Sequence, residues 1–160
     1  MNKIRVRRAR PEELIDVADL VLDAFVSEIH GNIKELEGSN ITNKDKFYHF
    51  YIERALSKTP FVVYIAELNN EMIGVAGGSV EEHHWSDIMW GCEDFWFVKK
   101  EHRGSKAGIM LFEKLMDWFK DNNAQRIQMT HYTWNPKIKG FYEKRGFKPF
   151  EVCYVQKVGE

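Results

Sequence analysis

The chain has 160 residues, of which 44% are apolar and 29% charged, with 23 Lys and Arg against 24 Asp and Glu. That length and apolar share suit a globular domain with a real core rather than a disordered segment. The net charge of −1 excludes a global field for nucleic acid or an anionic membrane. No apolar run approaches the roughly 18 residues of a membrane span, and no apolar segment follows the basic N-terminus as a signal peptide requires. The two cysteines, at 92 and 153, offer neither a disulfide framework nor metal-ligand spacing. They read as buried thiols in a reducing, cytoplasmic setting.

Over residues 3–9, Ile4 and Val6 alternate with Arg5 and Arg7, which predicts a half-buried strand. Arg5, Arg7, Arg8 and Arg10 read as its solvated face rather than a nucleic-acid patch, because no aromatic residue interleaves with them. Pro11-Glu12-Glu13 signals a helix start, and Leu14, Val17, Ala18, Val21, Leu22 and Phe25 form a buried stripe behind it. Residues 27–43 lose that period; Gly31, Gly38 and a Ser/Asn cluster predict a loop with a short helix in its middle. A second helix is expected over 44–57, ended by Thr59-Pro60.

Residues 61–68 are rich in Phe, Val, Tyr and Ile and predict a strand. Asn69-Asn70 suits a hairpin turn because asparagine tolerates positive φ. A returning strand spans 72–80, where Gly74, Gly77 and Gly78 allow a close approach or a bulge. After the polar loop 81–86 a long strand runs from 87 to 98, completing an antiparallel meander. Ile109, Leu111, Phe112, Leu115, Met116 and Phe119 then fall at helical spacing, and Asn122-Asn123 closes that helix. The strand expected over 126–132 should lie parallel to the preceding one by the right-handed crossover rule. A helix follows, and residues 150–158 are expected to supply the last strand.

The join between the long strand and the third helix carries chemistry. A glycine-bearing turn entering a helix aims several backbone N–H groups at one spot, at the positive end of the helix dipole, and so makes an anion site. Here the turn reads Arg103-Gly104-Ser105-Lys106-Ala107-Gly108. It resembles the pyrophosphate loop of the GNAT superfamily of N-acetyltransferases, commonly Arg/Gln-x-x-Gly-x-Gly/Ala after a strand ending in a hydrophobic residue, here Val98. Arg103 and Gly108 match, and Lys106 stands where the family usually has its first glycine. The Arg-Gly-Ser-x-Ala-Gly wording is similar to that of some phage-encoded members. A second stretch resembles the family's fourth motif: Asn135, then Tyr142 seven residues on, then Gly146-Phe147. The two motifs stand in family order and together cover Glu93 to Phe147.

The resemblance implies an α/β fold with a mixed central sheet of about six or seven strands, flanked by about four helices, in one acetyltransferase domain over residues 1–160. It implies acetyl-CoA as co-substrate and transfer of its acetyl group to an amine. The pantetheine arm would pair with the strand near Phe97 and Val98, and the pyrophosphate would sit on the amides from Arg103 through Gly104, Ser105, Lys106 and Ala107 to Gly108. Asn135 would hydrogen-bond the pantetheine arm or cap the helix begun by Pro136. Tyr142 would be the general acid for the departing thiolate; packed in the core, it is simply a helix aromatic.

For the base, Glu93 and Asp94 lie mid-strand between aromatic residues, where desolvation raises a carboxylate's pKa. They point to opposite faces, and Glu93 is preferred; His83, His84 and solvent are alternatives. His30, His49, His102 and His131 show no ligand spacing with carboxylates, so no metal is expected. Acidic residues around the third and fourth strands, Glu81, Glu82, Asp87, Glu93 and Asp94, favour a cationic small-molecule or peptidic amine as acceptor. A homodimer is compatible with this reading. The rival readings are a non-catalytic CoA-binding or regulatory module on the same fold, and a nucleic-acid or protein-interaction domain.

Overall fold

The computed structural model of the chain describes residues 3–36 and 42–158. Strand β1 spans Arg5–Arg8, helix α1 Leu14–Ile29, α2 Lys44–Leu56, β2 Phe61–Leu68, β3 Glu71–Glu82 and β4 Met89–Val98. Helix α3 spans Ala107–Asp121, β5 Arg126–Gln128 and α4 Pro136–Glu143. The strands lie in chain order in one sheet, the first four antiparallel and β5 parallel to β4 across the α3 crossover.

The continuous apolar run of β2 follows from cover on both faces. Val63 and Ile65 point with Val75 and Phe95 toward Leu14, Val17 and Val21 of α1 and Tyr51 of α2. Val62, Tyr64 and Ala66 point the other way, toward Leu111, Phe112, Leu115 and Phe119 of α3 and Tyr142 of α4. The strand glycines serve this packing. A Cβ on Gly78 would lie 2.8 Å from the Phe119 ring, and one on Gly91 would lie 2.6 Å from it, so the α3 phenylalanine seats directly on the sheet backbone. Asn69 and Asn70 turn the β2–β3 hairpin with φ of 54° and 66°.

Several boundaries differ from the expectation. Pro11–Glu13 forms a 3-10 turn before α1 rather than its first α-turn. Helix α1 continues into the stretch read as loop, because Ile29, four residues after Phe25, is buried and extends the apolar stripe past Ser27 and Glu28. A 3-10 turn spans Lys34–Leu36; Gly38 and the Ser/Asn cluster lie outside the described residues.

Among the described residues the sheet has five strands rather than six or seven. Strand β5 stops at Gln128, short of 132, because Thr130 turns its N–H to a side chain of β4 rather than to its backbone. Residues 150–158 form no strand, and Phe150, Val152, Tyr154, Val155 and Val158 are exposed. The three-residue β5 offers little edge to pair with, and Pro149 has no N–H to give a ladder. The cysteines are less buried than expected: Cys92 is half-buried, and Cys153 is exposed because it lies on this unpaired tail.

Arg7 is not free for a partner. Its guanidinium donates to both Glu13 oxygens at 2.8 and 2.7 Å and, through Nε, to Glu67 at 3.1 Å, fastening β1 to the start of α1 and to β2. The hydrogen-bonded Arg7 holds the Glu13 carboxyl well below the usual carboxylate range, against the opposing effect of burial. A depressed folded-state pKa contributes stability above the unfolded value of about 4.3, and that stability is lost as pH falls toward the folded pKa. Glu13→Gln should cost about 1–3 kcal/mol at pH 7. The gap to wild type in urea midpoint should narrow progressively below pH of about 4.

Candidate active site

Strand β4 and the turn after it are built to leave backbone groups open. β4 pairs with β5 only over Trp90–Cys92, against Arg126–Gln128. Beyond Cys92 the two strands part, so from Glu93 to Val98 the β5-side edge of β4 has no strand beside it among the described residues. The chain then makes a 3-10 turn over Lys100–His102 and enters α3 through the loop 103–106. Gly104 sits at φ +90°, a conformation a side chain would strain.

The six loop amides divide by turns. Arg103 N donates to Lys100 O, Ser105 N to His102 O, and Ala107 N to the Ser105 hydroxyl. Between them the amides of Gly104, Lys106 and Gly108 have no hydrogen-bond partner among the described residues. Lys106 has ordinary right-handed dihedrals, φ −73° and ψ −8°, so lacking a glycine there does not disturb the turn. Trp96 Nε1 donates to Gly108 O at 3.1 Å and clamps the first turn of α3 to β4. Arg103 is anchored at both ends: Nε donates to Val98 O at 3.1 Å and Nη2 to Glu28 of α1 at 2.8 Å.

Glu93 stands where β4 and β5 part. Its Oε2 accepts from Thr130 N at 3.0 Å and from the Thr130 hydroxyl at 2.7 Å. Tyr142 Oη donates to the carbonyl of the same Thr130 at 3.0 Å, so one residue links the carboxylate and the phenol. Burial pushes the Glu93 carboxyl up to about 7, although the Thr130 bonds pull the other way. Burial, then the nearby Glu93 charge, raises the Tyr142 phenol well above its ordinary value, so it is protonated throughout the neutral range.

A bulge separates Glu93 from Asp94. Gly77 pairs with Phe95 and Gly78 with Glu93, leaving Asp94 as the extra residue. Glu93 therefore faces Thr130 and the α3–α4 side. Asp94 turns to α2, where both its oxygens lie 3.1 Å from Arg54 Nη1. Burial raises the Asp94 carboxyl more than Arg54 lowers it.

The Acetyltransferase (GNAT) family profile matches residues 25–147. The chain belongs to the GNAT acetyltransferase family. No curated protein sequence matches it. Among solved structures, a predicted acetyltransferase with acetyl-CoA from Clostridium acetobutylicum is similar at a TM-score of 0.75 and 15% identity, over 96% of each chain. Glucosamine-6-phosphate N-acetyltransferase from Arabidopsis thaliana is similar at 0.68 and 16% identity, over 96% of this chain and 97% of that one. An aminoglycoside acetyltransferase from an uncultured soil metagenomic sample, in complex with trehalose, is similar at 0.67 and 13% identity, over 98% of this chain and 97% of that one. At these identities the likeness concerns the fold.

Within this GNAT fold the structure gathers Phe97, Val98 and the loop 103–108 at one end of β4 and places Glu93 with Tyr142 at the parting of the strands. Asn135 caps α4, its Oδ1 accepting from Ile138 N at 3.3 Å, which leaves the amide nitrogen of that side chain to donate elsewhere. His83 and His84 stay apart in the β3–β4 loop, stacked on each other at 4.8 Å, with His83 stacked on Trp90 at 4.6 Å. Among the described residues no cluster of His, Cys, Asp and Glu could hold a metal ion. Sequence reasoning missed Thr130, Arg54, Ser79 and Glu28. Ser79 carried one signal, as a polar residue inside a run of apolar strand positions.

Proposed function

We propose that this GNAT protein is an N-acetyltransferase, moving the acetyl group of acetyl-CoA to an amine by direct attack on the thioester. The observation that carries the reading is the open edge of β4 leading into a loop with three unengaged amides. An extended arm such as pantetheine can add to such an edge by main-chain hydrogen bonds. The Gly104, Lys106 and Gly108 amides suit a pyrophosphate at a helix N-terminus. Phe97 and Val98 supply the strand end, Arg103, Ser105 and Ala107 shape the loop, and the Asn135 amide nitrogen, not used in capping α4, is the arm's side-chain donor in this reading.

In the reaction the amine nitrogen forms a bond to the thioester carbon while a strand N–H holds the developing oxyanion. Collapse then breaks the C–S bond. Glu93 takes the proton that the nitrogen sheds, and Tyr142 gives one to the departing thiolate. A base near pH 7 and a phenol that stays protonated are the two states this needs. We place the whole activity in one domain acting in the cytoplasm. The two unpaired cysteines support a reducing setting.

Tyr142→Phe separates the acid role from core packing. Loss of the bond to Thr130 should cost about 1 kcal/mol of stability in either case. If Tyr142 is also the acid, kcat should fall by up to about 10²-fold, the low end for a positioned acid because a thiolate leaves with little help. Acetyl-CoA affinity should hold. A lower melting temperature with wild-type kcat would return Tyr142 to the core. The function as a whole is tested by thiol release from acetyl-CoA across an amine panel. Tight CoA binding with no turnover on any amine would favour the regulatory CoA-binding module.

A further inference from the structure

We infer that Thr130 is a positioning residue for the proposed transfer: its amide and hydroxyl hold one oxygen of Glu93 and leave the other to take the proton from the acceptor nitrogen. This rests on the transferase reading and adds a residue to the same site.

The geometry is a three-point clamp. Thr130 N donates to Glu93 Oε2 at 3.0 Å, and Thr130 Oγ1 donates to the same oxygen at 2.7 Å. Glu93 Oε1 accepts no hydrogen bond among the described residues, so its lone pairs are the ones open to a proton. From the other end of the residue, Thr130 O accepts from Tyr142 Oη at 3.0 Å. The spacing between base and acid is thus set by one residue, lying just past the end of β5, where the two strands have parted. A β-branched side chain suits that post, because its χ1 is stiff and its hydroxyl strays little.

The clamp also favours the charged form of the base. Burial and Asp94, next along β4, both disfavour the Glu93 carboxylate. The Asp94 charge is itself met by Arg54, on the α2 side. Tyr142 of α4, Tyr132 after β5 and Tyr51 of α2 feel the Glu93 charge, but each stays protonated at neutral pH and offers no counter-charge. Among the described residues no cation of any element bears on Glu93. Both bonds that stabilise its ionised form come from Thr130, and the hydroxyl bond is the one a substitution removes.

The test compares Thr130→Val and Thr130→Ser with wild type. Thiol release from acetyl-CoA is followed against pH with 2-phenylethylamine, spermidine and glucosamine, using whichever is turned over fastest. Carboxyl 13C NMR follows Glu93 directly, its signal assigned by its loss in Glu93→Gln. Thr130 is exposed, so the valine variant is expected to fold. In Thr130→Val the NMR titration and the inflection in kcat/KM should both rise by about one pH unit, as loss of a hydrogen bond to a charged group implies. At pH 7 its kcat/KM should fall by ~5–10-fold and largely recover by pH 9, with acetyl-CoA affinity unchanged. Thr130→Ser, which keeps the hydroxyl, should return both readings toward wild type. A Glu93 titration that Thr130→Val leaves in place would overturn the inference and leave the transferase reading intact. A shifted titration with an unshifted kinetic inflection would remove Glu93 as the base, and this inference with it, while transfer itself stood. No thiol release by wild type with any of the three amines would instead overturn the transferase reading, on which this one rests.

Discussion

Glu93→Gln should lower kcat/KM by about 10²–10⁴-fold, the range of a positioned general base, and should make the protein more stable at pH 8. Glutamine keeps an oxygen to accept from the Thr130 N–H and hydroxyl, so the parting of β4 and β5 should persist. What disappears is the titration. Wild-type kcat/KM should show an inflection near the pKa of about 7 that burial gives Glu93, rising with pH, and the variant should lack it.

The stability change has the opposite sense to that at Glu13. Glu93 has a folded pKa above its unfolded value, so its protonated form is favoured in the native state. That contribution is complete below about pH 4.3 and is lost as pH rises through about 7, where the native state must carry a buried charge. The unfolding free energy of Glu93→Gln should therefore match wild type at pH 4 and exceed it at pH 8 by up to about 3 kcal/mol, with the melting temperature rising in step. Equal melting temperatures at both pH values would mean that the carboxylate is not desolvated.

Gly108→Leu should weaken CoA binding by ~100-fold or more, about 3 kcal/mol. A Cβ at this position would meet Val98 Cγ2 at 3.6 Å and Trp96 Cζ2 at 3.7 Å, which are ordinary contacts. Alanine is therefore accommodated by the fold. Leucine carries its branches further into the crevice between the first turn of α3 and the edge of β4, where the open amides gather. It also crowds the Trp96 ring that bonds Gly108 O, so some loss of stability, about 1–3 kcal/mol, accompanies it. Gly108→Ala is the control, with a near-wild-type melting temperature and a Kd raised by ~10-fold or less. Unchanged CoA affinity in a folded Gly108→Leu protein would remove the loop from the binding site.

The parts of this protein written in local patterns were legible. The stripe of α3, the Asn69-Asn70 turn, the meander and the turn 103–108 each follow from spacing and residue type over a few positions. The opposed directions of Glu93 and Asp94 followed from strand alternation, and the bulge preserves them. The site around them was not legible, because it is made by pairs far apart in the chain. Thr130 reaches Glu93 across 37 residues, and Arg54 reaches Asp94 across 40. No local period records either contact. The C-terminal tail shows the converse: residues 150–158 are expected to form the last strand, but pairing depends on a partner edge, and β5 supplies only three residues. Helix α1 ran past its expected end because Ile29 is buried, which the loss of apolar period after Phe25 did not record.

Amide hydrogen exchange with and without acetyl-CoA tests most directly the claim that the open edge of β4 and the loop after it hold the cofactor. New protection should appear on the Gly104, Lys106 and Gly108 amides and along 93–98, with little change in β1 or β2. Tight binding that leaves those amides exchanging as before, or that protects the β3–β4 loop around His83 instead, would contradict it.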